Sequence, residues 1–255
     1  LFKGIKYRKF SFWFFDISFI KFNIIIFIRK DKMKKILSIL IVILPWKIKR
    51  LIYVKIFKYK IAASAKIGFS IIFPKMLIMG NNSKIGSLTY CKGIDLVHLE
   101  ESSKIGTLNW ITGFPSNNSK TGHFSYDKNR FPALIIKKHS AITSRHIIDC
   151  TNTITIGKYT TVAGIRSQLL THSINIYTSR QESLPINIGD YCFISTSVIC
   201  LGGTDIPNYS IVSALSLCNK KYEDCYSLYG GVPAKKIKDL EKDTKYFNRE
   251  FGYVI

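Results

Sequence analysis

The stretch INIGDYCFISTSVICLGGTDIPNYSIVSALSLC, residues 186–218, carries an apolar side chain at every sixth position, namely Ile188, Ile194, Cys200, Ile206, Val212 and Cys218. An amphipathic helix repeats near 3.6 residues and a lone strand at two, so neither accounts for a period of six. A coil of short parallel strands does. Each strand turns one apolar side chain to a shared axis, and the corners take small and polar residues. Working outward, Ile136, Ile142, Ile148 and Ile154 keep the same step, which then shifts by two to Ile156 and Val162. Nearer the start, Ile61, Ile67, Phe73, Met79, Ile85, Cys91 and Val97 keep it again. Lys-Ile-Gly recurs at 66–68, 84–86 and 104–106. The first interval, of eighteen residues, is three hexads and hence one turn of a three-sided coil; the second carries a two-residue insertion. These spacings predict an all-β solenoid, a parallel β-helix over residues 61–218.

The period breaks twice, at 113–133 and 173–185, where polar residues, proline and glycine predict loops extruded from the coil. Residues 219–255 form a tail. From Pro233 to Phe251 it places Ile237, Leu240 and Phe247 among charges, which predicts a short amphipathic helix closing the open end of the coil. Residues 33–60 predict one or two short amphipathic helices that cap the other end or touch lipid.

The formal net charge is +22, and its excess is local: residues 1–60 hold sixteen Lys or Arg against Asp16 and Asp31. This basicity alternates with Phe, Ile and Leu, a mixture that suits contact with an anionic membrane. No nucleic-acid-binding motif accompanies it, so nucleic acid is not expected as a partner. Met33-Lys-Lys opens an apolar run, and residues 1–32 are read either as upstream translation or as a genuine membrane-seeking arm. The run ends in further positive charge rather than a small-residue cleavage site, unlike a signal peptide. Neither apolar run is long enough for a membrane span. Three of the six cysteines, Cys91, Cys200 and Cys218, stand on the six-residue ladder, and no Cys-x-x-Cys pair occurs. Buried reduced thiols, a cytoplasmic location with peripheral contact at the inner face of the membrane, and no metal are the expectations.

A filled coil leaves no internal cavity, so chemistry belongs on its outside, where the period breaks. His172 stands at the root of the second loop, a position for an imidazole that accepts a hydroxyl proton near neutral pH. His146 and Asp149 lie one coil earlier. Stacking predicts that the three share a face, with Asp149 orienting an imidazole; a polar corner satisfying the backbone is an equal alternative for His146 and Asp149.

Four local matches support a resemblance. Ile154-Thr-Ile-Gly157 followed by Thr171-His172-Ser173 resembles a rung and its catalytic histidine, and Ile188-Gly-Asp-Tyr-Cys-Phe-Ile194 resembles the rung after the loop. Ile211-Val-Ser-Ala214 resembles Val-x-Ala-Gly-Ser, and Gly230-Gly-Val-Pro-Ala-Lys235 resembles a Gly-Asn/Val-Pro-Ala-Lys motif. Over about residues 61–240 the chain resembles the hexapeptide-repeat acyltransferases, closest to bacterial polysaccharide and sugar O-acetyltransferases. The resemblance implies a left-handed parallel β-helix and transfer of acetyl from acetyl-CoA, a co-substrate, to a sugar hydroxyl of cell-surface polysaccharide or its precursors. It implies His172 as general base, backbone N–H groups near Ser195 as oxyanion donors, and Ser195, Ser213, Ala214, Lys220 and Lys235 along the cofactor. It also implies a homotrimer with sites between subunits. The chain departs from the pattern at Ser195, at Leu215-Ser216 and at Ile206-Pro207, all along the cofactor groove. N-acetylation of an amino sugar or nucleotide-sugar, or a non-catalytic coil used as a scaffold, are the competing readings.

Overall fold

The computed structural model describes residues 33–34, 36–116, 123–124, 126–127 and 129–252. The expectation for residues 1–32 lies outside them. The chain divides into two compact units, Leu1–Leu37 and Ser38–Ile255, and the second contains the whole coil.

The period of six is realised as three sheets wound around one axis. The first face runs from Lys60–Ile61 to Asp205–Ile206 and the third from Ile71–Phe73 to Leu217–Cys218, each with seven strands. The second face begins at Lys66–Ile67 and has nine strands. Strands within these faces pair in parallel, one coil to the next, until a final antiparallel hairpin. The Lys-Ile-Gly repeats stack in register, Lys66 on Lys84 on Lys104. The inward positions from Ile188 to Cys218 are all buried, as are Ile136, Ile142, Ile148, Ile154, Ile156 and Val162. One ladder position differs from expectation. Ile72, not Phe73, fills the axis opposite Cys91, because the corner after Ile67 is one residue short and Pro74 ends the strand.

Corners are held by hydroxyls that bridge successive coils. Ser70 Oγ donates to the Gly86 carbonyl (2.6 Å) and accepts from the Thr89 N–H (2.9 Å). Thr160 Oγ1 does the same with the Gly189 carbonyl (2.6 Å) and the Cys192 N–H (2.8 Å). Buried turn backbone is thereby satisfied without water. Coils approach so closely there that a Cβ on Gly157 would collide with the Gly189 carbonyl. All six cysteines are free, and all but Cys225 are buried.

A helix, α1 (Trp46–Lys55), follows Pro45 and a 3₁₀ turn at Ile41–Ile43, and it seats on the first coil. Among the described residues no helix is long and apolar enough to cross a membrane. The second extruded segment is a two-stranded arm, His172–Asn175 against Arg180–Ser183. The tail differs from the helix expected of it. Ser227–Gly231 and Ala234–Asp239 form an antiparallel hairpin on the second face, and helix is confined to one 3₁₀ turn at Lys245–Asn248. Backbone pairing decides this segment, since only Ala234 of the last strand is buried.

Tyr246, Phe247 and Arg249 then fold back on a feature that the six-residue period does not announce. His139, Tyr159, Tyr191, Tyr209 and Tyr226 stack as one column along the corner between the first and second faces. Successive ring centroids lie 4.9, 4.7, 5.3 and 4.5 Å apart.

Candidate active site

The corner between the third and first faces places a carboxylate under an imidazole. Ile147–Asp149 and Gln168–Leu170 are adjacent strands of the third face, in register as Asp149 on Leu170. The next two residues, Thr171 and His172, therefore pass directly over the Asp149 side chain. Asp149 Oδ2 accepts from the Thr171 N–H (3.1 Å), the Thr171 hydroxyl (3.0 Å) and the His172 N–H (3.1 Å). It also pairs with His172 Nδ1 at 2.7 Å. Asp149 Oδ1 accepts from the Thr151 hydroxyl at 2.7 Å.

These donors fix the protonation states. Burial pushes the Asp149 carboxyl up, but hydrogen bonds from His172, Thr151 and Thr171 outweigh it, and its pKa falls below the ordinary value. The hydrogen bond to Asp149 raises the His172 pKa against its partial burial. Facing an ionised carboxylate, Nδ1 carries the proton of the neutral ring. The Nε2 lone pair is left uncommitted, since no hydrogen bond reaches Nε2 among the described residues. The imidazole side chain is 35% exposed and the Asp149 side chain 10%, so the ring is reachable and its anchor is not.

The first extruded loop closes over this pair. Phe114 and Phe124 meet the His172 ring edge-on, at centroid distances of 5.7 and 6.2 Å. Arg130 is buried and ties the loop down: Nη1 donates to the carbonyls of Phe114 and Thr151, and Nη2 to that of Pro115 at 2.9 Å. Its guanidinium also lies over the Phe124 ring at 4.6 Å. Thr151, Phe114, Phe124 and Arg130 are not among the residues that the sequence singles out, and Thr171 enters there only within the Thr171-His172-Ser173 match. The hydroxyls of the two threonines carry a signal in their corner positions; the loop residues carry none, because the loop has no period.

His146 does not join the site. It is 1% exposed, accepts from the Ser167 N–H through Nδ1 (3.1 Å), and faces Thr143 Oγ1 through Nε2 (2.9 Å). Burial pushes its pKa down to about 4. It precedes the strand that Asp149 ends, so the width of the third face separates them. Ser195, Ser213 and Ala214 also lie across that face, at the corner between second and third faces. The Ser195 N–H donates to the Val212 carbonyl (3.0 Å), so that one N–H of the rung is spent on the coil. Ser213 N–H is likewise bonded, to the Tyr229 carbonyl (2.9 Å). Lys235 is exposed on the terminal hairpin beside this corner. Lys220 is exposed after the last strand of the third face, its Nζ 5.6 Å from the Tyr222 ring centre.

No family model and no curated protein matches the chain. Among solved structures it is similar to the polysialic acid O-acetyltransferase OatWY, at 15% identity and a TM-score of 0.51 over 71% of this chain and 84% of that one. It is also similar to a mutant of AntD, an N-acyltransferase from Bacillus cereus in complex with a dTDP-amino sugar and coenzyme A. There the identity is 14% and the TM-score 0.49, over 79% of this chain and 92% of that one. A hexapeptide-repeat acetyltransferase from Vibrio cholerae aligns at 28% identity and a TM-score of 0.40, over 42% of this chain and 63% of that one. The first likeness shows the fold: this coil is a left-handed parallel β-helix.

Proposed function

We propose that the chain is an O-acetyltransferase that moves the acetyl group of acetyl-CoA to a sugar hydroxyl, in a cell-surface polysaccharide or its precursor. The observation that carries the proposal is the 2.7 Å pair between Asp149 and an accessible His172. His172 Nε2 takes the hydroxyl proton as the sugar oxygen attacks the thioester carbonyl. The new C–O bond forms, the C–S bond then breaks, and the imidazolium returns its proton to the departing thiolate. Asp149 holds the ring in one tautomer and faces the positive charge that develops on it.

Ser195, Ser213, Ala214 and Lys235 are the proposed line of the cofactor, with Lys220 and Lys235 offering point charges to its phosphates. Lys220, following Leu217–Cys218, stands on the same edge of the third face as His172, whereas Ser195, Ser213 and Ala214 stand at the opposite edge. That separation supports the homotrimer implied by resemblance, in which one copy's histidine meets a neighbour's cofactor groove. The outward row of the third face supports it too. Ile71, Tyr90, Trp110, Ile147, Gln168, Ile199 and Leu217 lie in register, and six of the seven are apolar.

The test is thiol release from acetyl-CoA with candidate saccharides, followed by mass spectrometry of the product. The expected product gains one acetyl group that hydroxylamine removes, as it does from an ester; an acetyl resistant to hydroxylamine identifies an amide. Turnover that survives His172→Ala unchanged, or a chain that does not bind coenzyme A, overturns the proposal.

A further inference from the structure

We infer that α1 and the turn before it form a docking surface for an anionic lipid bilayer. This does not rest on the chemistry at His172. The helix inverts the usual amphipathic arrangement. Lys49, 2% exposed, faces the coil, and its Nζ donates to the carbonyls of Val42 (2.8 Å) and Gly68 (2.9 Å). Arg50 Nη2 donates to the Ile61 carbonyl (2.9 Å). Polar hooks thus seat the helix, with Tyr53 the large apolar group it buries.

The opposite stripe is apolar and basic. Ile48 is 49% exposed and Leu51 58%, with exposed Lys47 and Lys55 one turn to either side of Leu51. Ile56 extends the stripe past the helix, and Leu40 and Ile43 extend it before, Ile43 at 80% exposure. A helix whose sole partner were the coil would turn Ile48 and Leu51 inward and its lysines out. Beside it, Phe69, Leu88 and Leu108 are exposed at one corner of successive coils, Phe69 lying under Lys49 Nζ at 5.3 Å.

Charge selects the occupant. Residues 33–94 contain twelve Lys or Arg and no Asp or Glu. A second copy would bring the same positive stripe. Residues 1–32 carry eight Lys or Arg against two acidic residues, the same sign again. An anionic bilayer supplies both the apolar cover and the opposite charge, with the lysines reaching to headgroups beside inserted Ile and Leu side chains.

The test is flotation of the full chain with vesicles of equal parts phosphatidylglycerol and phosphatidylcholine, and with phosphatidylcholine alone. Flotation with the first, abolished by high salt, and none with the second is expected. Lys47→Gln with Lys55→Gln lowers the partition coefficient about twenty-five-fold, each lysine at an anionic surface contributing about fivefold. Ile48→Ser with Leu51→Ser lowers it as well, while the melting temperature holds because both side chains face outward. Absence of flotation with phosphatidylglycerol vesicles, or flotation unchanged in both double variants, overturns the inference. So does dissociation of an oligomer by Ile48→Ser with Leu51→Ser in lipid-free buffer, which assigns the stripe to a second copy.

Discussion

Replacing Asp149 by Asn keeps the size of the side chain and removes its charge. Four of the five contacts to this carboxylate are made by Oδ2, three of them from Thr171 and the His172 backbone. An amide oxygen in the same place keeps these donors satisfied, and the amide nitrogen faces the Thr151 hydroxyl, which can rotate to accept. The fold is therefore expected to survive. What disappears is the negative charge opposite the imidazolium. A charge-assisted hydrogen bond is worth about 1.5–3 kcal/mol and a neutral one about 1, so the change removes on the order of 1–2 kcal/mol at this pair. Converted to rate, kcat/KM falls by roughly fivefold to thirtyfold. A second readout is independent of that figure. Because Asp149 raises the His172 pKa, the parent's kcat/KM rises with pH through a value above the ordinary imidazole 6.5. In Asp149→Asn that rising limb moves to lower pH. Steady-state thiol release across the pH range measures both effects. A variant as active as the parent, or a limb that stays in place, refutes the assignment of Asp149 as the orienting group.

Arg130→Ala is expected to lower kcat/KM by about tenfold with a rise in KM, because it frees the loop bearing Phe114 and Phe124 and leaves three carbonyls without their donor. Steady-state kinetics and a melting curve read the two parts. His146→Gln is expected to make the fold less sensitive to acid. Unfolded imidazole titrates near 6.5 and the folded ring near about 4, so between these values the unfolded chain binds the extra proton. Stability thus falls as pH falls through this window, by about 3 kcal/mol in full; urea unfolding of parent and variant at both ends of the window measures it. Tyr191→Gly relieves a positive φ of 57° but interrupts the stack with Tyr159 and Tyr209 and the contact with Arg249, whose guanidinium lies 5.7 Å from the ring centre. Losing two ring contacts of about 1 kcal/mol each, with the buried area they carry, exceeds the relief of about 1–2 kcal/mol, so thermal unfolding is expected at lower temperature.

The coil is legible because the axis of a β-helix admits one side chain per strand, and the chain repeats that constraint without interruption from Ile188 to Cys218. Phe73 escapes the pattern because one short corner moves the inward slot by a residue without altering composition. The tail misleads for a different reason: Ile237 suggests a buried helical stripe, yet it is 58% exposed on a strand held by main-chain pairing. At the site, Asp149 and His172 follow from stacking, since the end of one strand must lie under the residues that leave the next. His146 does not, because a corner before a strand and a corner after it are separated by the whole face. The tyrosine column has a signal, aromatic residues recurring at about one-coil intervals through Tyr191, Tyr209 and Tyr226, but these rings point outward, where the axial period imposes no constraint.

The same stacking explains how a mostly buried carboxylate is tolerated and made useful. A carboxylate removed from water needs donors already in place, and here the next coil supplies them from its own backbone as it turns out of the sheet. Those N–H groups belong to Thr171 and His172 because the arm departs at this point. Its first pair, His172 with Ser183, and the hydrogen bond from Leu184 N–H to the Thr171 carbonyl (2.9 Å) close the arm at its base. His172 is thus held from below by the coil, through Asp149, and from the side by the arm. The arm's far end is free of that duty: Ile176 and Tyr177 are 79% and 93% exposed. The contacts that hold the imidazole and the exposed tip are thus at different ends of one hairpin. Substitution at the tip is therefore expected to leave the His172–Asp149 pair in place.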